Sequence, residues 1–111
     1  MADSPKVRSL INLPEVIRKG QPFEVRSTLG HPMENGLRTD AYRNIVPRNL
    51  VTRFECRQDG VLVCSVDLYS AIAANPYLAF WVQADTPCTL TFEWLGDNGF
   101  RHRESRTIVL T

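Results

Sequence analysis

Leu50-Val-Thr-Arg-Phe-Glu-Cys-Arg-Gln-Asp-Gly-Val-Leu-Val-Cys-Ser-Val-Asp-Leu68 reads as two strands and the turn that joins them. Leu50, Thr52, Phe54 and Cys56 alternate with Val51, Arg53, Glu55 and Arg57, the period of a half-buried strand. Asp59-Gly60 then supplies two residues that tolerate positive φ, a strong short-range hairpin signal, and an apolar run follows at once. With a two-residue loop Cys56 pairs with Val63, and the thiols of Cys56 and Cys64 fall on opposite faces. A three-residue loop puts them on one face, where a bridge could form.

The same rhythm extends in both directions. Residues 7–13 are a β-rich run that stops at Pro14, and Phe23, Val25, Ser27 and Leu29 alternate with Glu24, Arg26 and Thr28. Residues 78–84 follow Pro76, residues 89–95 follow Pro87, and residues 100–110 follow the turn signal Asp97-Asn98-Gly99. Only residues 70–75 read as helical, for about one turn. Seven short strands punctuated by Gly and Pro predict an all-β, immunoglobulin-like antiparallel β-sandwich, because each one-sided strand needs a second sheet over its apolar face. With no internal repeat and no linker composition, residues 1–111 form one domain. On the strand after Pro76, Phe80 shares parity with Leu78 and Val82, so Phe80 is expected in the core and Trp81 on the outer face.

Thirteen Lys and Arg against twelve Asp and Glu leave a net charge of +1. Such a balance argues against roles that rest on bulk attraction to nucleic acid or to an anionic membrane. No apolar run approaches the roughly 18 residues of a membrane-spanning helix. The opening Met1-Ala-Asp-Ser-Pro5 has neither the basic nor the apolar region of a secretory signal. Eleven of the thirteen cations are Arg, the cation suited to interfaces and planar anion contacts.

A search for catalytic chemistry finds little. With only His31 and His102 in the chain, an iron centre that needs several histidines and a cysteine is impossible. A blue-copper set could draw on His31, Met33, Cys88 and His102, but Thr-Leu-Thr-Phe-Glu after Cys88 lacks the close ligands such a loop supplies. Cys56, Cys64 and Cys88 sit in strand-like runs with no feature that would lower a thiol pKa, so buried structural cysteines are the simpler reading. The competing reading is a small redox or sulfur-transfer module using one of these cysteines with His102 as base. No phosphate loop, dinucleotide fingerprint, paired Cys-x-x-Cys or His-Glu-x-x-His occurs, and no catalytic residue, metal ligand or cofactor is assigned.

Two stretches fall outside the sandwich pattern. Residues 30–49 form a loop unusually long for a compact domain, carrying Met33, Leu37, Tyr42, Ile45 and Val46. It either packs on the rim of the core or lies against another protein. The second stretch, Ala71-Ile-Ala-Ala-Asn-Pro-Tyr-Leu-Ala-Phe80, begins with small residues that would let another backbone approach closely.

These stretches carry a family resemblance. His31-Pro-Met-Glu-Asn-Gly36, Arg38, Asp40, Pro47-Arg-Asn49, Phe54, the run from Ala71 to Phe80, the opening Ile11-Asn-Leu-Pro14 and the hairpin around Trp94 together resemble the SoxZ family. The resemblance spans nearly the whole chain. It implies an immunoglobulin-like subunit that does no bond chemistry and pairs with a SoxY-like subunit in a sulfur-carrier heterodimer of thiosulfate oxidation. In that pair the partner bears the sulfur on a cysteine in a flexible arm, which this chain stabilises and presents to other sulfur-oxidation enzymes that bind transiently. The chain itself ends Thr107-Ile-Val-Leu-Thr111, without the glycine-flanked cysteine of a carrier arm. The resemblance also implies a periplasmic location, reached by export bound to a signal-bearing partner. Candidate partner contacts are His31, Pro32, Met33, Glu34, Asn35, Gly36, Leu37 and Arg38, with Ala71, Ile72, Asn75, Pro76 and Tyr77. Charges placed at Met33 and Leu37 are expected to weaken the heterodimer and spare the fold.

Overall fold

The Asp59-Gly60 turn decides the sheet order. A computed structural model describes residues 7–69 and 74–111 and contains seven strands. They are β1 (Ser9–Asn12), β2 (Phe23–Leu29), β3 (Val51–Gln58), β4 (Val61–Asp67), β5 (Tyr77–Val82), β6 (Cys88–Gly96) and β7 (Arg101–Ile108). Asp59 and Gly60 both take positive φ, 48° and 85°, the backbone that a two-residue turn matched to strand twist demands. The turn folds β4 back on β3 and so places β4 in the larger sheet. The result is a sandwich of a three-stranded sheet, β1-β2-β5, and a four-stranded sheet, β4-β3-β6-β7, with every pair antiparallel. The predicted all-β sandwich and its seven strands are present. Among the described residues the one helical element is the 3-10 turn Asp97–Gly99. The one-turn helix read over residues 70–75 lies mostly outside the described residues, and its described end, Ala74 and Asn75, is a bend.

The core follows from alternation. Phe23, Val25 and Leu29 of β2 meet Phe54 and Cys56 of β3 and Leu90, Phe92 and Trp94 of β6, all buried. Phe54 is the hub: its ring centroid lies 5.2 Å from that of Trp94, 5.6 Å from Phe80 and 6.4 Å from Phe92. The parity expectation for β5 holds, with Phe80 packed against the core and Trp81 66% exposed.

Cross-sheet contacts fix which strands face each other. Ser9 of β1 bonds His102 of β7, and Phe54 of β3 packs on Phe80 of β5. β1 therefore lies over β7 and β5 over β3. Among the described residues β4 then has no strand opposite it.

The cysteine register differs from both loop-length expectations. The turn has two residues, since Gln58 pairs with Val61, yet Cys56 stands across from Cys64. The register shifts between Cys56 and Arg57, so Val63 is an extra, bulged residue that rotates Cys64 onto the face of Cys56. All three cysteines are free.

Candidate partner interface

The two irregular stretches are tied together in the structure by one reciprocal clasp between His31 and Asn75, 44 positions apart. The His31 N–H donates to Asn75 Oδ1 at 3.0 Å, and the Asn75 N–H donates to the His31 carbonyl at 2.8 Å. Asn75 adopts φ 55°, a left-handed conformation that Asn tolerates better than most side chains. His31 is buried, edge-on to Phe100 with centroids 5.0 Å apart. Its Nδ1 accepts the Met33 N–H at 3.0 Å, which puts the proton of the neutral ring on Nε2. Burial lowers the His31 pKa below its ordinary value, with Asp97 pulling the other way.

Met33 is also a core residue. It turns inward at φ 53°, is 7% exposed, and its sulfur accepts the Val51 N–H at 3.3 Å. This corrects the expectation that a charge at Met33 would spare the fold: there it would be buried without a partner. His31 and Met33 shape the surface from beneath.

Beyond Met33 the chain leaves the core as a short antiparallel arm. Glu34 and Asn49 exchange backbone hydrogen bonds of 2.8 and 2.7 Å, and Thr39 bridges Ile45 further out. At the tip Asp40 Oδ1 accepts the N–H groups of Tyr42 at 2.8 Å and Asn44 at 3.0 Å, a side chain standing in for a turn carbonyl. Asn35 Oδ1 does the same for the Leu37 N–H at 2.9 Å. Gly36 takes φ 84°, and a Cβ there would sit 3.2 Å from Arg48 Cβ, so glycine fits the crossing of the arm's two limbs. Arg38 pairs with Glu34, and Arg48 forms a two-pronged pair with Asp97, whose Oδ2 also accepts the Leu50 N–H. Hydrogen bonds from Arg48 and Arg38 hold the Asp97 and Glu34 carboxyls below their ordinary pKa. The arm leaves Leu37, Tyr42 and Ile45 at 83%, 85% and 68% exposure. The base of this loop therefore packs on the core, as the first alternative expects, while its tip presents unpacked apolar groups.

The other predicted contacts divide. Pro32, Glu34, Asn35, Gly36, Leu37 and Arg38 belong to the arm or its root, and Asn75, Pro76 and Tyr77 lead into β5. Ala71 and Ile72 lie outside the described residues. The sequence reading passed over Ala79 and Trp81, which continue the exposed side of β5 from Tyr77. The signal was available: Tyr77-Leu-Ala-Phe-Trp-Val82 contains no charge.

The reactive side chains are arranged structurally. Burial pushes the Cys56 thiol up to about 12 and also raises Cys64, away from the thiolate a nucleophile needs. Cys88 stands across from Ile108 while His102 stands across from Trp94, towards opposite ends of β6 and roughly 20 Å apart at a strand's rise. The Ser9 hydroxyl donates to Glu104 Oε1, so His102 Nε2, 2.9 Å away, acts as donor to the serine oxygen. That geometry joins the two sheets and is the reverse of a base activating a serine. A cleft of about 540 Å³ is lined by both histidines, Asp97 and Arg101, but each imidazole already spends a nitrogen on the protein. Among the described residues no group of three or more His, Cys, Asp or Glu could hold a metal ion. Among the same residues no helix is long and apolar enough to cross a membrane.

Solved structures share the fold. A superoxide reductase (neelaredoxin) from Ignicoccus hospitalis is 19% identical with a TM-score of 0.68, over 93% of this chain and 80% of that one. A putative superoxide reductase from Thermotoga maritima is 14% identical with a TM-score of 0.69, over 93% and 85%. At such identities the likeness extends to the sandwich alone. No curated protein sequence matches. The family match runs from residue 11 in β1 to residue 107 in β7 and includes both the clasp and the arm. The chain belongs to the family described as sulphur oxidation protein SoxZ.

Proposed function

We propose that this Sox-system sulfur-oxidation subunit is the non-catalytic half of a sulfur-carrier heterodimer. Its partner is a SoxY-like subunit whose flexible arm carries sulfur intermediates on a cysteine. This chain stabilises that subunit and presents the arm to the enzymes that load and unload it. The pair works in the periplasm, which this chain reaches bound to a partner bearing the export signal.

The placement of the thiols carries the reading. A carrier cysteine must visit several active sites, so it belongs on a mobile tail. Cys56 and Cys64 lie in β3 and β4 and Cys88 opens β6, held by the ladders on either side. None can travel without opening the fold. Replacing Cys56, Cys64 and Cys88 together with Ala or Ser is expected to leave thiosulfate-dependent turnover of the reconstituted complex largely intact. Any loss should track stability, since emptying the buried thiol sites costs roughly a few kcal/mol. Removing the partner's arm cysteine should abolish turnover. A stable triple variant that pairs normally yet turns over nothing would overturn the reading in favour of cysteine chemistry in this chain.

A further inference from the structure

Among the described residues the smaller sheet is one strand short of the larger. β4 overhangs the three-stranded sheet, so the inner side chains of Cys64 and Val66, directly across from Cys56 and Phe54, are only half-buried. Val61, across from Gln58, is exposed. Beside this overhang runs β5, bonded to β2 on one side and, among the described residues, to no strand on the other. The Leu29 N–H donates to the Pro76 carbonyl at 3.1 Å, and the Ser27 hydroxyl reaches the Leu78 carbonyl at 3.2 Å. Even-numbered residues of β5 thus turn their backbone groups toward β2. In an antiparallel ladder the intervening residues turn theirs away, so Tyr77, Ala79 and Trp81 present N–H and C=O groups along the open edge.

The other three edges are guarded. β1 is only 4 residues long, β4 carries the bulge at Val63, and β7 is lined with Arg101, Arg103, Glu104 and Arg106. Short length, bulges and charge are the means by which proteins keep an edge from pairing. β5 has 6 residues, no proline, no bulge and no charge. Tyr77 and Trp81 flank it on the outer side, both exposed and both of the aromatic type enriched at the centres of interfaces.

Resting on the heterodimer reading above, we infer that the β5 edge is where the carrier subunit binds, by adding an extended segment as a fourth strand of the small sheet. A strand at the ordinary spacing of about 4.8 Å from β5 would lie about 10 Å above β4. Its inward side chains would cover Cys64 and Val66, and its outward ones would flank Tyr77 and Trp81. The segment is separate from the cysteine arm, which must stay mobile. A second copy of this chain does not fit: in an antiparallel β5–β5 pair about a two-fold axis, the copy's β3 must face its own β5, in the place β4 occupies. The guest segment therefore comes without a facing sheet on the β4 side.

Amide exchange of this chain, alone and with the SoxY-like subunit, tests the assignment. The Tyr77, Ala79 and Trp81 amides should exchange freely in the free chain and slow by about tenfold or more in the complex, as amides do when a ladder forms. Ala79→Pro removes one of these donors at a site where the isolated chain does not use it, and edge strands tolerate proline on that side. It should leave the free chain's melting curve unchanged and weaken the complex about tenfold or more. If the complex forms and the three amides exchange unchanged, or Ala79→Pro binds normally, the edge assignment falls and the heterodimer stands. If the same amides become protected in the free chain as its concentration rises, a second copy takes the edge and the assignment again falls. If the wild-type chain forms no complex, the heterodimer reading falls with it.

Discussion

The two sheets of this sandwich are finished to different degrees. In the four-stranded sheet the outer face is covered by its own ion pairs: Arg53 and Arg57 hold Glu55, Arg53 reaches Asp67, and Arg101 and Arg103 converge on Glu93. Its inner face supplies Phe54, Leu90, Phe92 and Trp94, all buried. The three-stranded sheet buries less at β5, where Leu78 and Phe80 are half-buried and Tyr77 and Trp81 stand in solvent. Both sheets build the core, with Phe23, Val25 and Leu29 of β2 buried as fully as β3 and β6, but the smaller sheet leaves apolar surface exposed at β5. The difference traces to a single turn, because Asp59-Gly60 sends β4 to the larger sheet and, among the described residues, leaves the edge of β5 unpaired.

The comparison breaks most visibly by truncating aromatic residues one at a time. Phe54→Ala empties the hub of the larger sheet and should cost about 3–5 kcal/mol in a denaturant titration, a large share of a domain's stability. Phe80→Ala should cost less, about 2 kcal/mol, because the open side leaves the ring partly hydrated already. Trp81→Ala should move the free chain by no more than about 0.5 kcal/mol. If Trp81→Ala proves as damaging to the free chain as Phe80→Ala, the division between the packed and the exposed face of β5 is wrong.

A smaller effect comes from the clasp. Burial disfavours the charged form of His31, so its pKa in the folded chain lies below the ordinary 6.5 that the unfolded chain keeps. Between those two values the unfolded chain binds more protons, so stability rises with pH. The contribution of neutral His31 is thus complete above 6.5 and is lost as the pH falls through 6.5 toward the folded value. Unfolding midpoints measured at about pH 7.5 and about pH 5.5 should fall for the wild type and change less for His31→Gln, which cannot titrate. Equal slopes would mean that His31 accepts its proton without penalty and that the clasp does not isolate it from water. Asp97 and Glu34, held low by their arginine partners, shift their own losses to still lower pH, below their ordinary 3.8 and 4.5.

The strands were legible because each reports itself locally: alternation at Phe23–Leu29 and the Asp59-Gly60 turn need no knowledge of the rest of the chain. Even the β5 parity followed from Leu78, Phe80 and Val82 alone. The site was less legible because it is made of long-range meetings. Nothing near His31 announces that its backbone bonds Asn75, or that Met33 turns inward through a positive φ to meet the Val51 amide. The bulge at Val63 is likewise set by how β4 fits beside β3, and it reverses the thiol faces that counting residues assigns. The open edge was readable in principle, as a strand without charge, but its consequence depends on β4 lying across the gap.

The smallest expected effect is on the finished side. Glu93 lies between Arg103 at 2.9 Å and Arg101 at 3.7 Å on the outer face of the larger sheet, with both guanidinium groups largely exposed. Exposed ion pairs contribute about 0–1 kcal/mol, since water and salt screen the attraction and ordering two long side chains offsets much of what remains. Glu93→Gln keeps the shape of the side chain, removes its charge and leaves Arg101 and Arg103 free to hydrate. Its stability should stay within about 0.5 kcal/mol of the wild type. Affinity for the carrier subunit should also be unchanged, at low salt and at about 0.5 M salt, where the screening length shrinks to a few ångströms. The two readouts separate two errors. A larger loss of stability would show that the ion pairs act as a network that helps hold β6 to β7. A loss of affinity at unchanged stability would move the partner onto the charged face, and the contrast between the two sheets would have to be redrawn with β5 as the spectator.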